Sequence, residues 1–526
     1  MKPECGSLRA AGGWCLLVAA AAAMSMSGRT GLGAAPADVA IVNAAKSGDR
    51  TSVQRLLQQH ADVNASEPDG TTALHWAVRS DDVETVRLLL RGGANAKAAN
   101  RYGVTPLSLA AVNGSAAVIT LLLDKGADPN TASDDGETAL MTAARTGKLD
   151  AVRALLIRGA KPNANEHFLG ETALMWAAAE NHVAVTRVLL EAGAEIDARS
   201  TLLDTPKLSF PRSGGPNTPF PRGSRTALMY AARQGAADTA RVLAERGAAL
   251  DLKDPEGTTA LMFAIINAHY DTAAVLIDKG ADPNVVDTSG MSALYAAVDM
   301  NTLRWTFGRP APFQTDKLRA ADVVKSLLDH GADPNLRLRR ALLARHHDPG
   351  DRQLSTGSTA LMRAVKTGDA ELTRMLLDHG ADGTMIQPNG TTVLMIAAGV
   401  GTAPVDTVIE VEAPRVSKVT DQNVLKVLEL CEARCGDVNA FNADGDTALH
   451  GAVNRGPDIV RFILEHGGSA DMKNKRGLTP LDLALGAGGR GRGAARPESA
   501  SKVRQASADL IRQYLPKAAP PAVAPQ

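Results

Sequence analysis

The sequence has few aromatic residues, no excess charge of either sign and no long apolar run. Phe, Tyr and Trp make up 3% of the 526 residues while apolar residues make up 44%, so Ala, Leu, Val and Met, mostly good helix formers, must build most of any core. Lys plus Arg and Asp plus Glu number 57 each, which gives no support to nucleic acid or an acidic membrane surface as partner. No apolar run reaches the roughly 18 residues that predict a membrane-spanning helix.

The N-terminal segment 1–37 is predicted to be an export signal. Lys2 and Arg9 supply positive charge, residues 14–24 are apolar, and Ala35-Pro36-Ala37 fits a cleavage site. We therefore expect a periplasmic or secreted protein without an integral membrane segment after signal removal. The alternative is a disordered N-terminal extension, which would leave the protein in the cytoplasm.

Cysteine is scarce, with four residues in the chain, two of them inside the predicted signal. The remaining two, Cys431 and Cys435, are spaced i,i+4 and would share one helix face. A disulfide between them would strain a regular helix but is possible where a helix ends. Two buried thiols are the alternative, and the absence of a following His excludes a haem-attachment motif.

A repeat of about 33 residues dominates the chain after the signal. Aligning one Thr-like position gives twelve units. Their starts are Val39, Thr72, Thr105, Thr138, Thr172, Thr226, Thr259, Ser292, Thr359, Thr392, Thr447 and Thr479.

Each unit is predicted to fold as a helix-turn-helix pair. The Thr or Ser stands where a helix N-cap belongs, and Pro106 and Pro480 follow it at the first helical position. The second helix carries paired aliphatic residues, of which we expect Leu121 and Leu376 to lie in the core. Left-handed turns between the two helices are predicted at Gly48, Asp81, Gly114, Gly147, Asn181 and Gly235, and after the second helix at Gly126, Gly159, Gly193, Gly280, Gly331 and Gly380.

These residues resemble the ankyrin repeat, whose first helix opens with T-P-L-H-x-A and whose units are joined by β-turns. The motif appears as TALHWAV, TPLSLAA, TALMWAA and TPLDLAL, among others, followed by GADPN-type endings. The resemblance implies an all-α solenoid of about twelve helix-turn-helix units with short β-turn or hairpin connections. His75 and His450 keep the motif's His, whereas Met141, Met175, Met229, Met262, Met362 and Met395 replace it, so apolar packing is expected instead of the inter-repeat hydrogen bonds of that His.

The repeat array is assigned to residues 38–485, with four insertions near 200–223, 301–316, 339–355 and 402–421. A flexible Gly/Arg-rich segment and a capping helix are predicted within 486–515, and a disordered Pro/Ala tail within 516–526. The capping helix is expected to pack through one side. That side carries Val503, Ala506, Leu510, Ile511 and Tyr514.

No catalytic motif is present in the sequence, so we expect a non-enzymatic protein without a cofactor. The resemblance implies a monomeric scaffold that binds another protein through a concave face of hairpin tips and first helices. The candidate contact residues are aromatic, because Tyr and Trp dominate interface hot spots; packing between repeats is the alternative role. They are Trp76, Trp176, Tyr230 and Phe263 at one repeat position, with Tyr102, and Phe210, Phe220 and Trp305 in the insertions.

A small-ligand or metal-binding accessory protein is the alternative function, with the binding site in the insertions. His346-His347-Asp348 is the densest set of potential metal ligands, but its place in a polar insertion favours a solvated loop over a metal site.

Overall fold

The computed structural model describes residues 39–203, 223–302, 316–340, 354, 356–400, 420–487 and 498–515. These residues form 24 α-helices in consecutive pairs and no β-sheet, which confirms the predicted all-α repeat solenoid. The chain divides after Asn95 into two compact bodies. The predicted signal, 1–37, lies outside the described residues.

The first body contains two helix pairs. The first helices of the two pairs, α1 and α3, pack on each other, and so do the second helices, α2 and α4. Asn64 joins the pairs, because its amide donates to the carbonyl of Gly93 and its oxygen accepts from the N–H of Asn95. The helices are α1 Ala40–Lys46, α2 Arg50–Gln58, α3 Ala73–Arg79 and α4 Val83–Arg91.

The second body contains ten further pairs, which stack in the same way. The first helices are α5 Pro106–Asn113, α7 Ala139–Arg145, α9 Ala173–Ala179, α11 Ala227–Gln234, α13 Ala260–Ile266, α15 Ala293–Thr302, α17 Ala360–Lys366, α19 Val393–Ala398, α21 Ala448–Ala452 and α23 Pro480–Ala484. The second helices are α6 Ala116–Asp124, α8 Leu149–Ile157, α10 Val183–Glu191, α12 Ala237–Glu245, α14 Tyr270–Asp278, α16 Ala320–Asp329, α18 Ala370–Asp378, α20 Asp421–Cys431, α22 Pro457–Glu465 and α24 Glu498–Tyr514.

The helix caps and left-handed turns predicted from the sequence are present in the structure. In most units the Thr hydroxyl accepts the third helical N–H, as Thr105 does from Ser108 at 3.1 Å. The turn residue between the helices has a positive φ even where it is not Gly, at Asp81 and Asn181. All six Met residues of the repeat motif are buried, which confirms that apolar packing occupies the position of the absent His.

An asparagine in the turn after the second helix ties each of several units to the next. Asn335, for example, donates through Nδ2 to the carbonyl of Gly380 at 3.0 Å and accepts from the N–H of Asp382 at 2.8 Å. Asn130, Asn163, Asn284 and Asn439 make the same pair of bonds. Each bond satisfies backbone groups that a turn would otherwise leave to water.

The insertions enter at two kinds of place. Two fall between the helices of a pair, α15 and α16 or α19 and α20. The other two leave from a hairpin whose base is closed by backbone bonds, from Ser200 N–H to Arg225 O at 3.0 Å and from Leu338 N–H to Ser358 O at 2.9 Å. The long interval after Ser292 therefore contains one helix pair and two insertions.

The C-terminal helix α24 completes the twelfth pair, since it packs on α22 and α23. The predicted packing side was wrong except for Ile511. Val503 and Tyr514 are exposed, and the buried residues are Ser507, Ala508 and Ile511. Small side chains at 507 and 508 let α24 approach its neighbours closely, and this outweighs the larger apolar residues beside them.

The paired leucines of the second helix differ in burial. Leu376 and Leu122 are fully buried, whereas Leu121 is only half-buried, so its predicted core position was wrong. We expect Leu122→Ala and Leu376→Ala to lower the free energy of unfolding by about 2–5 kcal/mol through lost burial and a residual cavity. Leu121→Ala is the matched control and should cost under about 2 kcal/mol. Equal urea midpoints for the Leu121 and Leu122 variants would contradict the difference in burial, and a lower midpoint for the Leu121 variant would show that the helix faces the other way.

His450 predicts a local dependence on pH. Its Nδ1 accepts the N–H of Thr447 at 3.1 Å and its Nε2 donates to the carbonyl of Leu478 at 3.2 Å, so a second ring proton would point at a donor. Burial lowers the pKa of His450 below the ordinary 6.5, against the smaller opposing effects of the Leu478 carbonyl and Asp446. The stabilisation is therefore present above pH 6.5 and is lost as pH falls through the lowered value.

We expect amide exchange at residues 447–453, corrected for the intrinsic rate, to accelerate between pH 7.5 and pH 5 in the native chain. Six other units have Met at the position of His450. His450→Met should therefore fit this position without a titrating ring and should remove most of the acceleration. An unchanged pH response in the variant, measured by hydrogen–deuterium exchange, would contradict the assignment.

Candidate functional site

The four aromatic residues at one repeat position lie on the first helices, but they differ in exposure. Trp176 and Phe263 are buried, at 6% and 3% exposure, whereas Trp76 and Tyr230 are half-buried. Burial makes Trp176 and Phe263 packing residues rather than exposed anchors. Phe210, Phe220 and Trp305 lie outside the described residues.

Trp76, in the first body, is held by charged neighbours. Its indole N–H donates to Glu67 at 3.0 Å, and the same carboxylate accepts from Lys46 at 2.8 Å. The Lys46 ammonium lies 4.4 Å from the ring centroid, and the Arg79 guanidinium lies 5.3 Å from it. The protein itself therefore supplies the cations that an exposed indole would attract.

Trp176, in the second body, has a similar environment around Glu171. The Glu171 carboxylate accepts the indole N–H at 2.7 Å and also binds the hydroxyl of Tyr230. Burial first, and the Glu171 charge second, raise the pKa of Tyr230, so its hydroxyl stays protonated and donates. The Arg145 guanidinium lies 4.8 Å from the ring centroid of Trp176.

The same repeat position holds Arg363 in the ninth unit. Its Nε lies 2.6 Å from Oδ1 of Asp299, and both side chains are almost fully buried. Asp299 stands in its own unit where Arg79 and Arg145 stand in theirs. The first-helix row is thus largely occupied by contacts between neighbouring units, as the packing alternative for these aromatics predicts.

In the second body, backbone hydrogen bonds also join neighbouring hairpin tips, which lie beyond the first helices. We call this series of bonds the ladder. His167 donates its N–H to Asp135 O at 2.8 Å, and Thr201 donates to Leu169 O at 2.6 Å. Bonds of the same kind join Thr288 to Glu256, Arg339 to Ser289, Ala443 to Asn389 and Lys475 to Asp444. Backbone bonds between neighbouring tips hold their residues in fixed positions.

Large apolar side chains project from these tips. Tyr102 is 51% exposed, as its candidate role requires. Phe168 and Phe441, which were not among the residues predicted from the sequence, are 68% and 65% exposed. Leu202 and Ile386 are also exposed beside neighbouring tips. The signal available in the sequence was a large apolar residue inside an otherwise polar turn, which has no core to enter.

Phe168 is presented by a turn built around Glu166. The buried Glu166 carboxylate accepts the N–H of Phe168 at 2.6 Å, of Leu169 at 2.6 Å and of Glu171 at 3.0 Å. Three charge-assisted bonds to one carboxylate fix the backbone on both sides of the ring. The backbone that carries the exposed ring is therefore fixed.

We name the tip patch as Tyr102, Asp134, Asp135, Phe168 and Leu202, which stand on four successive tips. Asp134 and Asp135 are exposed and carry negative charge between the two aromatic rings. A Cβ built on Gly103, beside Tyr102, would lie 3.9 Å from Oδ1 of Asp134, so the first two tips are adjacent. Arg101 is exposed beside Tyr102, where its guanidinium donates to the Tyr102 hydroxyl at 2.7 Å and lies 4.9 Å from the ring centroid. The surface therefore carries one cation at its Tyr102 end and two carboxylates between the aromatic rings.

Among the described residues there is no group of three or more potential metal ligands. Within the same ranges, no helix has the length and apolar character needed to cross a bilayer. His346-His347-Asp348 lies outside those ranges, so the alternative of a metal or small-ligand site in the insertions stays a prediction.

Comparison with known proteins gives matches along most of the chain. The family model described as ankyrin repeats (3 copies) matches residues 41–133, 129–200, 214–287 and 322–408. The model described as ankyrin repeats (many copies) matches residues 430–484. Ankyrin repeats are generally non-enzymatic protein–protein interaction modules.

One curated relative is the Potassium channel AKT3 of Oryza sativa subsp. japonica. It is 40% identical over 74 residues, which is 14% of this chain and 8% of the channel. The match spans a small part of the channel's length and is about two repeat units long, so it reflects shared repeats.

Proposed function

The chain belongs to the ankyrin repeat family, and from that premise we propose that it is a non-enzymatic scaffold that binds another protein through the tip patch. The observation that carries this proposal is the exposure of Tyr102 and Phe168 on two tips of the same body that have a single tip between them. Large exposed apolar side chains on a rigid frame are typical of binding sites.

Rigidity supports the tips over the first-helix row as the main source of affinity. The rings of the row are already packed against cations and carboxylates of the same chain. A partner would have to break those contacts, whereas Phe168 is exposed and its turn is already fixed by Glu166. Binding a preorganised surface avoids much of the entropic cost of ordering it.

Charge complementarity gives the chemistry of the partner. Asp134 and Asp135 stand between Tyr102 and Phe168 along the tips, and both are exposed. The partner segment is a stretch of protein with two apolar side chains flanking a Lys or Arg. Exposed carboxylates act over about 10 Å at 0.1 M salt, so association should slow as ionic strength rises.

We propose further that the protein is exported and acts as a monomer. Lys2 and Arg9, the apolar stretch 14–24 and Ala35-Pro36-Ala37 support export. We expect the protein expressed in its own cells to appear in the periplasmic or secreted fraction with a new N-terminus between residues 24 and 38. An intact Met1 in the cytoplasmic fraction, detected by N-terminal peptide mapping, would contradict export.

The tip patch is tested by photo-crosslinking in the native cells. A photoreactive residue at position 168 or 102 should give a discrete adduct, from which the partner is identified by mass spectrometry. Position 157 is the matched control, because Ile157 is 79% exposed but ends the second helix α8 rather than standing on a tip. Equal adducts from 157 and 168 would reject the patch as the binding surface.

Once the partner is identified, its Kd for each variant measures how much the tip patch contributes to binding. We expect Tyr102→Ser combined with Phe168→Ser to raise Kd about 100-fold or more, because hot-spot side chains contribute about 2 kcal/mol or more each. Ile157→Ser should leave Kd within about twofold, and all variants should keep the native circular dichroism spectrum. Asp134→Asn with Asp135→Asn should lower the association rate and its salt dependence. An unchanged Kd in the double Ser variant would refute the proposal.

A further inference from the structure

Two thiols lie together where α20 ends. Cys431 is the last residue of the helix, and Cys435 lies in the turn that follows. The N–H of Cys435 donates to the carbonyl of Cys431 at 2.9 Å, and the N–H of Arg434 donates to the same oxygen at 3.0 Å. Both side chains are buried and free, and the two sulfur atoms are hydrogen-bonded to each other.

The end of the helix removes the usual obstacle to a bond at this spacing. Within a regular helix all Cα–Cβ bonds tilt the same way, so sulfurs four residues apart do not converge. Here the chain leaves the regular helix through a mixed turn, because Arg434 and Cys435 both donate to the Cys431 carbonyl, and the two sulfurs lie within hydrogen-bond distance of each other. Gly436, with φ 87°, ends this turn. One helical turn also separates Cα atoms by about 6 Å, which is within the range for disulfides.

The neighbouring unit is shaped around this turn. A Cβ built on Gly383 would lie 2.3 Å from the carbonyl oxygen of Arg434 and 2.9 Å from Sγ of Cys435. Four other units carry Pro at the position of Gly383, namely Pro129, Pro162, Pro283 and Pro334. The ninth unit therefore has a glycine, and no side chain, where the turn that carries Cys435 in the tenth unit packs against it.

The helix that carries the pair is also unusual. α20 has 11 residues, whereas α18, the preceding second helix, has 9. The two extra residues make about half a turn, and α20 ends at Cys431, four residues before Cys435. The longer helix α20, the two thiols and the glycine at position 383 therefore occur together in the ninth and tenth units.

We propose that Cys431 and Cys435 are a redox modification site that closes to an intramolecular disulfide by exchange with a small-molecule disulfide such as oxidised glutathione. One cysteine thiolate attacks the oxidant, forms a mixed disulfide and releases one thiol. The second cysteine thiolate then attacks the protein sulfur of the mixed disulfide and releases the other thiol. The protein loses two electrons and two protons, and both pass to the oxidant, which leaves as two thiols.

Closure requires the turn to open first, because both thiols are buried, and it is slow near neutral pH and faster in alkali. The hydrogen bond from Cys431 first, and burial second, raise the pKa of the Cys435 thiol, so little of the reactive thiolate is present at neutral pH. The disulfide then fixes the turn that packs beside Gly383, at the junction between the ninth and tenth units. The inference does not depend on the proposed partner surface, which stands on other tips.

The test uses the full chain incubated with oxidised glutathione, quenched with acid, alkylated and digested with trypsin. Cleavage after Lys426, Arg434 and Arg455 puts the two cysteines on separate peptides, 427–434 and 435–455. We expect these peptides to be recovered joined, at the summed mass less two hydrogens, and to separate on reduction. Peptides recovered separately, each alkylated or each carrying glutathione, would overturn the proposal.

Two variants test the geometry. In the uncleaved chain, Cys431→Ser should leave peptide 435–455 joined to no other peptide, which excludes pairing of Cys435 with Cys5 or Cys15. Gly383→Pro introduces the residue of four other units and should slow closure about tenfold or more, because the turn must move away from the ring. Its circular dichroism spectrum and urea midpoint report separately whether it folds. Closure at the native rate in a folded Gly383→Pro chain would show that Gly383 has no part in the site.

Discussion

Every helix pair in this protein has apolar side chains on two sides, and only neighbouring pairs can cover them. The buried Ala, Leu and Met of the first helices can be covered only by a neighbouring pair, because a single pair of short helices has no interior of its own. The Asn bridges and the tip-to-tip backbone bonds follow from this stacking, since they form only when successive units are in register. Stability is therefore a property of neighbouring units rather than of single ones.

This constraint explains why the insertions are tolerated. Asp197 accepts the N–H of Ala249 across one insertion, and Asn335 donates to the carbonyl of Gly380 across another. The repeat units on the two sides of each insertion therefore stay bonded to each other. Both partners of each bond belong to the repeat, and none belongs to the insertion. Chain can be added at a hairpin base or between two helices without moving the surfaces that neighbours cover.

The same constraint separates the two candidate surfaces. Residues on the first helices face the next unit, and there Trp176 and Phe263 are buried while Arg363 is paired with Asp299. Residues at the tips lie beyond the covered surface, and their backbone is fixed by the ladder while their side chains stay exposed. An array of this kind can change tip residues freely, because they contribute little to stacking.

The sequence by itself determined the fold, the 33-residue period, the number of units, the helix caps and the left-handed turns. Each of these is set by local chemistry that is repeated in register. It also pointed to Tyr102. It did not determine which of two adjacent leucines is buried, which side of α24 packs, or that Trp176 is enclosed while Phe168 is exposed. Those outcomes depend on how closely neighbouring units approach and on which groups of the next unit meet a side chain. Only the tertiary structure decided them, because a residue's burial here is set by atoms that lie a full repeat or more away in the chain.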